Sequence, residues 1–182
     1  MPLSTPPSPL PSASQAAALA PFAALPDETR LWLLAFDRPV EAALLAPEVE
    51  ALLGRWRHKG VEYHATWTVL EGRILAVAEP TLATQPSGCA IDGMLRGMHQ
   101  LASRLDQTLL DPQAVLARLP GGLRAFDRAE LEARLTDGTL EGTTPLLDLT
   151  LFNLGDLRQG RLERPLAATW IGRKYLRAVP ST

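Results

Sequence analysis

Leu31-Trp32-Leu33-Leu34-Ala35-Phe36 is apolar at every position, the pattern of a strand covered on both faces. Downstream, Val49, Leu52, Leu53 and Trp56 recur at i, i+3, i+4 and i+7, which predicts one buried face of a helix. Pro47 suits the first position of that helix, with Glu48 and Glu50 in its first turn, and Arg57, His58, Lys59 and Gly60 suit its end. Residues 61–70 then alternate. Val61, Tyr63, Ala65, Trp67 and Val69 share one face; Glu62, His64, Thr66 and Thr68 share the other. Glu71-Gly72 reads as a two-residue hairpin turn into a second apolar run, Arg73 to Glu79. The half-polar first arm is therefore expected at a sheet edge, and the apolar second arm inside.

A loop over 80–87 precedes a second amphipathic helix marked by Ile91, Met94, Leu95, Met98, Leu101, Ala102 and Leu105. Gly93 and Gly97 lie one turn apart on it, and glycines that weaken a helix point to close approach by a neighbouring element. Ala114–Leu119 reads as a strand, Pro120-Gly121-Gly122 as a turn and Leu123–Phe126 as a short strand. Arg128–Leu135 reads as a helix, Leu146–Phe152 as a strand and Leu166–Arg177 as a helix. The order through Leu119 is β-α-β-β-α-β. It predicts an α+β fold: a ferredoxin-like βαββαβ core with a mostly antiparallel sheet and a C-terminal β/α extension. In that arrangement the first and third strands lie inside and the second at an edge.

Composition adds boundaries. Residues 1–24 carry no charged side chain and are rich in Pro, Ser and Ala, which predicts a disordered tail. The remainder, 25–178, is expected to form a single α+β domain. A hydrophobic share of 46% with 21% charged residues is that of an ordinary globule. The net charge of −2 gives no overall field favouring nucleic acid or an anionic membrane, so neither is an expected partner. The single cysteine leaves no intrachain disulfide and no Cys-cluster metal site. His58, His64 and His99 lack metal-ligand spacing, so no metal or cofactor is expected. The absence of a secretory pattern or a bilayer-length apolar run points to the cytoplasm.

The chemistry concentrates around Ser87-Gly88-Cys89-Ala90-Ile91-Asp92, where the only thiol opens a predicted helix. A two-residue turn at 71–72 would pair Leu70 with Arg73, Thr68 with Leu75, Thr66 with Val77 and His64 with Glu79. Cys89, His64 and Glu79 thus form a candidate catalytic set. The carboxylate orients the imidazole, the imidazole deprotonates the thiol, and helix amides favour the thiolate. The competing reading is a solvated His-Glu pair and a buried cysteine acting as a small hydrophobe. Ser87 suits an N-cap, with Asp92 in the first turn complementing the helix dipole. The same turn could hold an anion on free amides, which Asp92 would oppose. Arg158, Arg161, Arg164, Arg173, Lys174 and Arg177 make the end of the chain basic, readable as a phosphate contact or as a solvated face.

Trp56-x-x-x-Gly60, Ser87-Gly88-Cys89-Ala90-Ile91-Asp92, Phe152-Asn153 and Thr169-Trp170-x-x-Arg173 together resemble a family of small bacterial proteins often labelled "ABC transporter ATPase". The resemblance covers roughly residues 25 to 178 and implies no established mechanism. The label itself finds no support in the residues. A nucleotide-hydrolysing domain needs a Gly-rich phosphate loop ending in Gly-Lys-Ser/Thr, and none occurs. The expected function is a non-catalytic small-ligand or protein-binding, regulatory module. Its candidate ligand-binding residues are Ser87, Gly88, Cys89, Asp92, Asn153, Trp170 and Arg173. The alternative is a thiol-dependent enzyme using Cys89. The edge strand Val61–Leu70 is a candidate homodimer contact.

Overall fold

A computed structural model describes residues 13–80 and 85–176. In chain order these form α1 (Ala13–Ala18), β1 (Arg30–Ala35), α2 (Ala42–Leu53), β2 (Arg57–His58), β3 (Val61–Glu62), β4 (Thr66–Leu70), β5 (Ile74–Glu79) and α3 (Gly88–Arg104). There follow β6 (Val115–Leu119), β7 (Gly122–Phe126), α4 (Arg128–Thr136), β8 (Pro145–Leu147), α5 (Leu154–Arg158), β9 (Glu163–Pro165) and α6 (Trp170–Tyr175). The fold is α+β, and every strand pairing is antiparallel. The chain divides into two compact units. The described residues up to Leu109, with Thr150–Gly160, form the first; Leu110–Leu149, with the described residues from Arg161 onward, form the second.

The first unit is built on a sheet of order β1-β5-β4. All six residues of β5 are buried, as its apolar run predicts for an inner strand. Trp32, Leu34, Val69 and Trp67 pack with Leu75 and Val77 of β5 into a core shared with α2 and α3. From α3, Met94, Met98 and Leu101 enter that core at helical spacing. Each such buried side chain contributes about 1.5–3 kcal/mol of transfer free energy.

Several expectations need correction. Strand β1 is an outer strand of its sheet, because the predicted fourth strand is not beside it. That strand, β6, pairs with β7 and β8 in the second unit. The β6–β7 hairpin closes through Pro120-Gly121, with Leu119 opposite Gly122. A loop so short closes at little entropic cost. On its outer side β1 meets only single bridges, Phe36 with Leu109 and Arg30 with Asn153. Helix α2 begins at Ala42 and holds Pro47 in its interior on an exposed face. It ends at Leu53, so Arg57 and His58 form β2 rather than a last helical turn. Lys59 and Gly60 both have positive φ, 48° and 81°, and turn the chain from β2 into β3. The alternating run 61–70 is accordingly split between β3 and β4.

The tail reading also gives way over 13–24. This segment carries α1 and a single 3-10 turn over Ala20–Phe22, with Phe22 fully buried. The Thr68 hydroxyl donates to the Ala18 carbonyl at 2.9 Å, tying the segment to β4. One aromatic side chain in an uncharged stretch is enough to anchor it. The rest of the predicted tail, 1–12, lies outside the described residues.

The second unit has a four-stranded sheet of order β7-β6-β8-β9. Its core includes Phe126, Leu131, Leu140, Leu146, Leu166 and Ile171. The expected strand 146–152 shortens to β8. The expected helix 166–177 breaks at Thr169 into a 3-10 turn over Leu166–Ala168 and then α6. Gly172 shows why the chain folds back here: a Cβ on it would lie 2.5 Å from the Leu166 carbonyl oxygen.

Candidate functional site

Hairpin β4–β5 sets the geometry of the candidate residues, and its register differs from the expected one. Glu71 and Gly72 take positive φ, 53° and 61°, and the Arg73 N–H donates to the Leu70 carbonyl at 3.0 Å. This is the two-residue turn the sequence suggests. The ladder, however, resumes with Leu70 opposite Ile74, then Thr68 opposite Ala76 and Thr66 opposite Ala78. Arg73 is an extra residue on one arm, a bulge. Strand β1 recruits it. The Phe36 N–H donates to the Arg73 carbonyl at 2.9 Å, and Arg73 Nε donates to the Phe36 carbonyl at 2.6 Å. Its Nη2 donates to the Asp37 carbonyl. Burial holds this guanidinium below its ordinary pKa, and the Asp37 charge opposes that shift.

The bulge moves His64 out of its expected place opposite Glu79. The two residues still meet, but through the backbone: the His64 N–H donates to Glu79 Oε1 at 3.2 Å. Glu79 is fully buried. Its register partner across the sheet is Arg30, whose guanidinium carbon lies 5.6 Å from the Trp32 ring centroid. Sequence reasoning found the His64–Glu79 neighbourhood but assigned the wrong atom of His64 to the contact.

Helix α3 starts as expected. Ser87 is its N-cap and accepts from the Ala90 N–H at 3.3 Å. Cys89 is in the first turn and exposed, so its reading as a buried small hydrophobe does not hold. Asp92 falls just beyond the first turn and is exposed, so it does not cap. Gly97 receives Leu52 of α2, whose Cδ1 would be 2.5 Å from an added Cβ. Gly93 and Gly88 face open space. Close approach therefore explains Gly97 and not Gly93.

Two hollows open on the first unit, and they share Trp56 and Arg57. The smaller, about 300 Å3, is lined by Cys89, Gly93 and Met94 of α3 together with Arg55 and His58. The larger, about 530 Å3, is lined by Trp56, Tyr63 and Trp67, with Glu50, Glu62, Arg57 and His64 on its walls. Cys89 and His64 line different hollows, and Glu79 lines neither. Neither of these hollows therefore brings the three candidate catalytic residues together. Compared with known proteins, the chain matches no family model, no curated protein and no solved structure.

The aromatic floor is rigidly held. Trp56 Nε1 donates to the Ala90 carbonyl at 2.9 Å, locking β2's approach to the start of α3. Trp32 meets the Trp56 ring edge-on, with centroids 5.5 Å apart, and Tyr63 lies 4.9 Å from it at a 47° tilt. Arg57 and Glu62 face each other across β2–β3 with their charged atoms 3.6 Å apart. The tryptophans were legible in the sequence only as core residues. What turns three aromatic side chains into a floor is the β2–β3 hairpin, and the Lys59-Gly60 turn was its one sequence signal.

The other candidate residues have separate duties. Asn153 caps α5: its Oδ1 accepts from the Asp156 N–H and its Nδ2 donates to Asp156 Oδ2, both at 2.8 Å. Trp170, about half exposed, and Arg173 belong to α6 of the second unit. Among the described residues, no three His, Cys, Asp or Glu side chains gather as a metal ion requires. No described helix is long and apolar enough to cross a membrane.

Proposed function

We propose that this chain is a non-catalytic binding module that takes a small molecule into the larger hollow of its first unit. The supporting observation is the hollow itself. It has a volume of about 530 Å3, within the ordinary range of ligand sites, with an aromatic floor and a few polar groups on its walls. Trp56 and Tyr63 of the floor are held in place before any ligand arrives, which spares part of the ordering cost of binding. Cys89 belongs to the same reading through the smaller hollow, which shares Trp56 and Arg57 with the larger, and Ser87, Gly88 and Asp92 enter it only as neighbours of Cys89 at the start of α3. Asn153, Trp170 and Arg173, expected from the sequence as ligand-binding residues, line neither hollow, and the expected homodimer edge Val61–Leu70 is carried forward through its β4 part, Thr66–Leu70.

The same proposal carries the family resemblance, a cytoplasmic setting and a ferredoxin-like ancestry for the first unit. The order β1-β5-β4 is that expected of the first three ferredoxin-like strands. The bridges at Leu109 and Asn153 lie where the fourth would run.

A screen of small organic fragments, followed by protein NMR, tests the reading. Fragments are expected to shift the Trp67 and Tyr63 resonances, and Trp67→Leu is expected to abolish the shift at Tyr63. Fragments that gather elsewhere, or none that bind, would remove it. The thiol-enzyme reading is favoured by one observation, the exposed Cys89 sharing a hollow with His58. It predicts that thiol labelling accelerates near neutrality and slows in His58→Gln. The module reading predicts labelling at an ordinary thiol's rate in both proteins.

A further inference from the structure

We infer that the ligand of the larger hollow is a small organic cation of the methylated-ammonium type. The inference rests on the reading of that hollow as a ligand site and names its chemical class. The charge balance of the walls comes first. Arg57 and Glu62 oppose each other across β2–β3 at 3.6 Å and largely cancel. Glu50, on the last turns of α2, lines the hollow, and its carboxylate has no hydrogen-bond or ion-pair partner among the described residues. One carboxylate therefore stands uncompensated at the wall, and an anionic ligand would meet it directly.

The floor points the same way. Aromatic rings carry negative faces and attract cations that approach within about 6 Å of the centroid, Trp most strongly. Trp67, Trp56 and Tyr63 place three such rings around one volume, and Trp67 is only half-buried. Trp56 is pinned through its indole N–H to Ala90, and Tyr63 is packed against Trp56, so neither ring is free to turn aside. An ammonium wrapped in methyl groups suits this setting. It keeps a charge for Glu50 and the rings, presents an apolar skin to the floor and gives up little hydration on entry. A compact, strongly hydrated ion would lose more water than the hollow replaces.

Tryptophan emission of the full chain, titrated with choline and with its neutral carbon isostere dimethylbutanol, tests this. Choline is expected to change the emission saturably. The isostere, equal in shape without the charge, is expected to bind about tenfold more weakly. Glu50→Gln, an exposed change that leaves the core intact, is expected to weaken choline several-fold, and Trp67→Leu about tenfold. Equal binding of choline and dimethylbutanol would overturn the cation inference and leave the ligand hollow standing. No response to either compound, with fragments also failing at Trp67, would remove both. Phosphatidylcholine vesicles added to the choline complex separate the two sources of this chemistry. No displacement supports a free small molecule, and displacement supports a lipid headgroup in the same cation site.

Discussion

Asp137 illustrates how much one carboxylate can be held by its neighbours. It follows α4 and accepts from the Thr139 N–H at 2.9 Å and from Arg134 Nη1 at 2.8 Å. The bonds from Thr139, then that from Arg134, lower its pKa from 3.8 to about 2. A pKa lower in the folded chain than in the unfolded one means the contribution to stability is complete above 3.8 and is lost as pH falls towards about 2. Asp137→Asn should therefore lower the unfolding midpoint at neutral pH, flatten its fall across that window, and differ little from the parent protein once the pH has reached about 2. Acid-unfolding curves of the two proteins check this. The same local reading explains Ser87, expected as a cap from residue type alone and found as the N-cap of α3. Asp127 and Glu130 complete a reciprocal capping box.

At the scale of elements, the bulge at Arg73 governs what the hairpin does. The turn residues were legible, because Glu71-Gly72 sits between two runs of strand character. The extra residue was not, because its cause lies on β1: the carbonyls of Phe36 and Asp37 that Arg73 satisfies. A local pattern cannot show such a partner. Arg73→Met would keep the side chain's bulk and leave those carbonyls without their donors, at about 1–3 kcal/mol for each buried group. Chemical denaturation should show a loss of that order, and amide exchange at Phe36 should quicken. An unchanged midpoint would mean that the guanidinium is dispensable to the register. Helix α3 was read nearly whole, since its period, cap and apolar face agree. The end of α2 was misread because Trp56 fits the helical period although its ring is held by Ala90 from outside the helix.

For the molecule as a whole, the first unit is completed late in the chain. Leu31 N–H donates to the Phe152 carbonyl and Leu154 N–H to the Thr29 carbonyl, at 2.9 and 3.0 Å. Leu154 and Leu157 of α5 are buried. Arg158 Nη2 donates to the carbonyls of Phe22 and Leu25 at 2.7 and 2.8 Å, and its Nη1 pairs with Asp27. Strand periodicity reads the sequence in order, so it assigned residues 114–119 to the sheet of β1 and missed this return. Leu157→Ala should cost about 2–5 kcal/mol, as a cavity in a core does, although the sequence pattern predicts a loop over these residues. Urea unfolding measures it, and a loss below ~0.5 kcal/mol, the range of surface substitutions, would show that α5 is not part of that core.

The proposal that the aromatic hollow takes a small cation is the central claim. The most direct test follows the indole and ring resonances of Trp56, Tyr63, Trp67 and Trp170 by NMR while tetramethylammonium is added. The account predicts saturable shifts at Trp67, Tyr63 and Trp56, silence at Trp170, and in Glu50→Gln the same shifts reached only at several-fold higher concentration. Shifts that are absent, or that spread equally to Trp170, would contradict it.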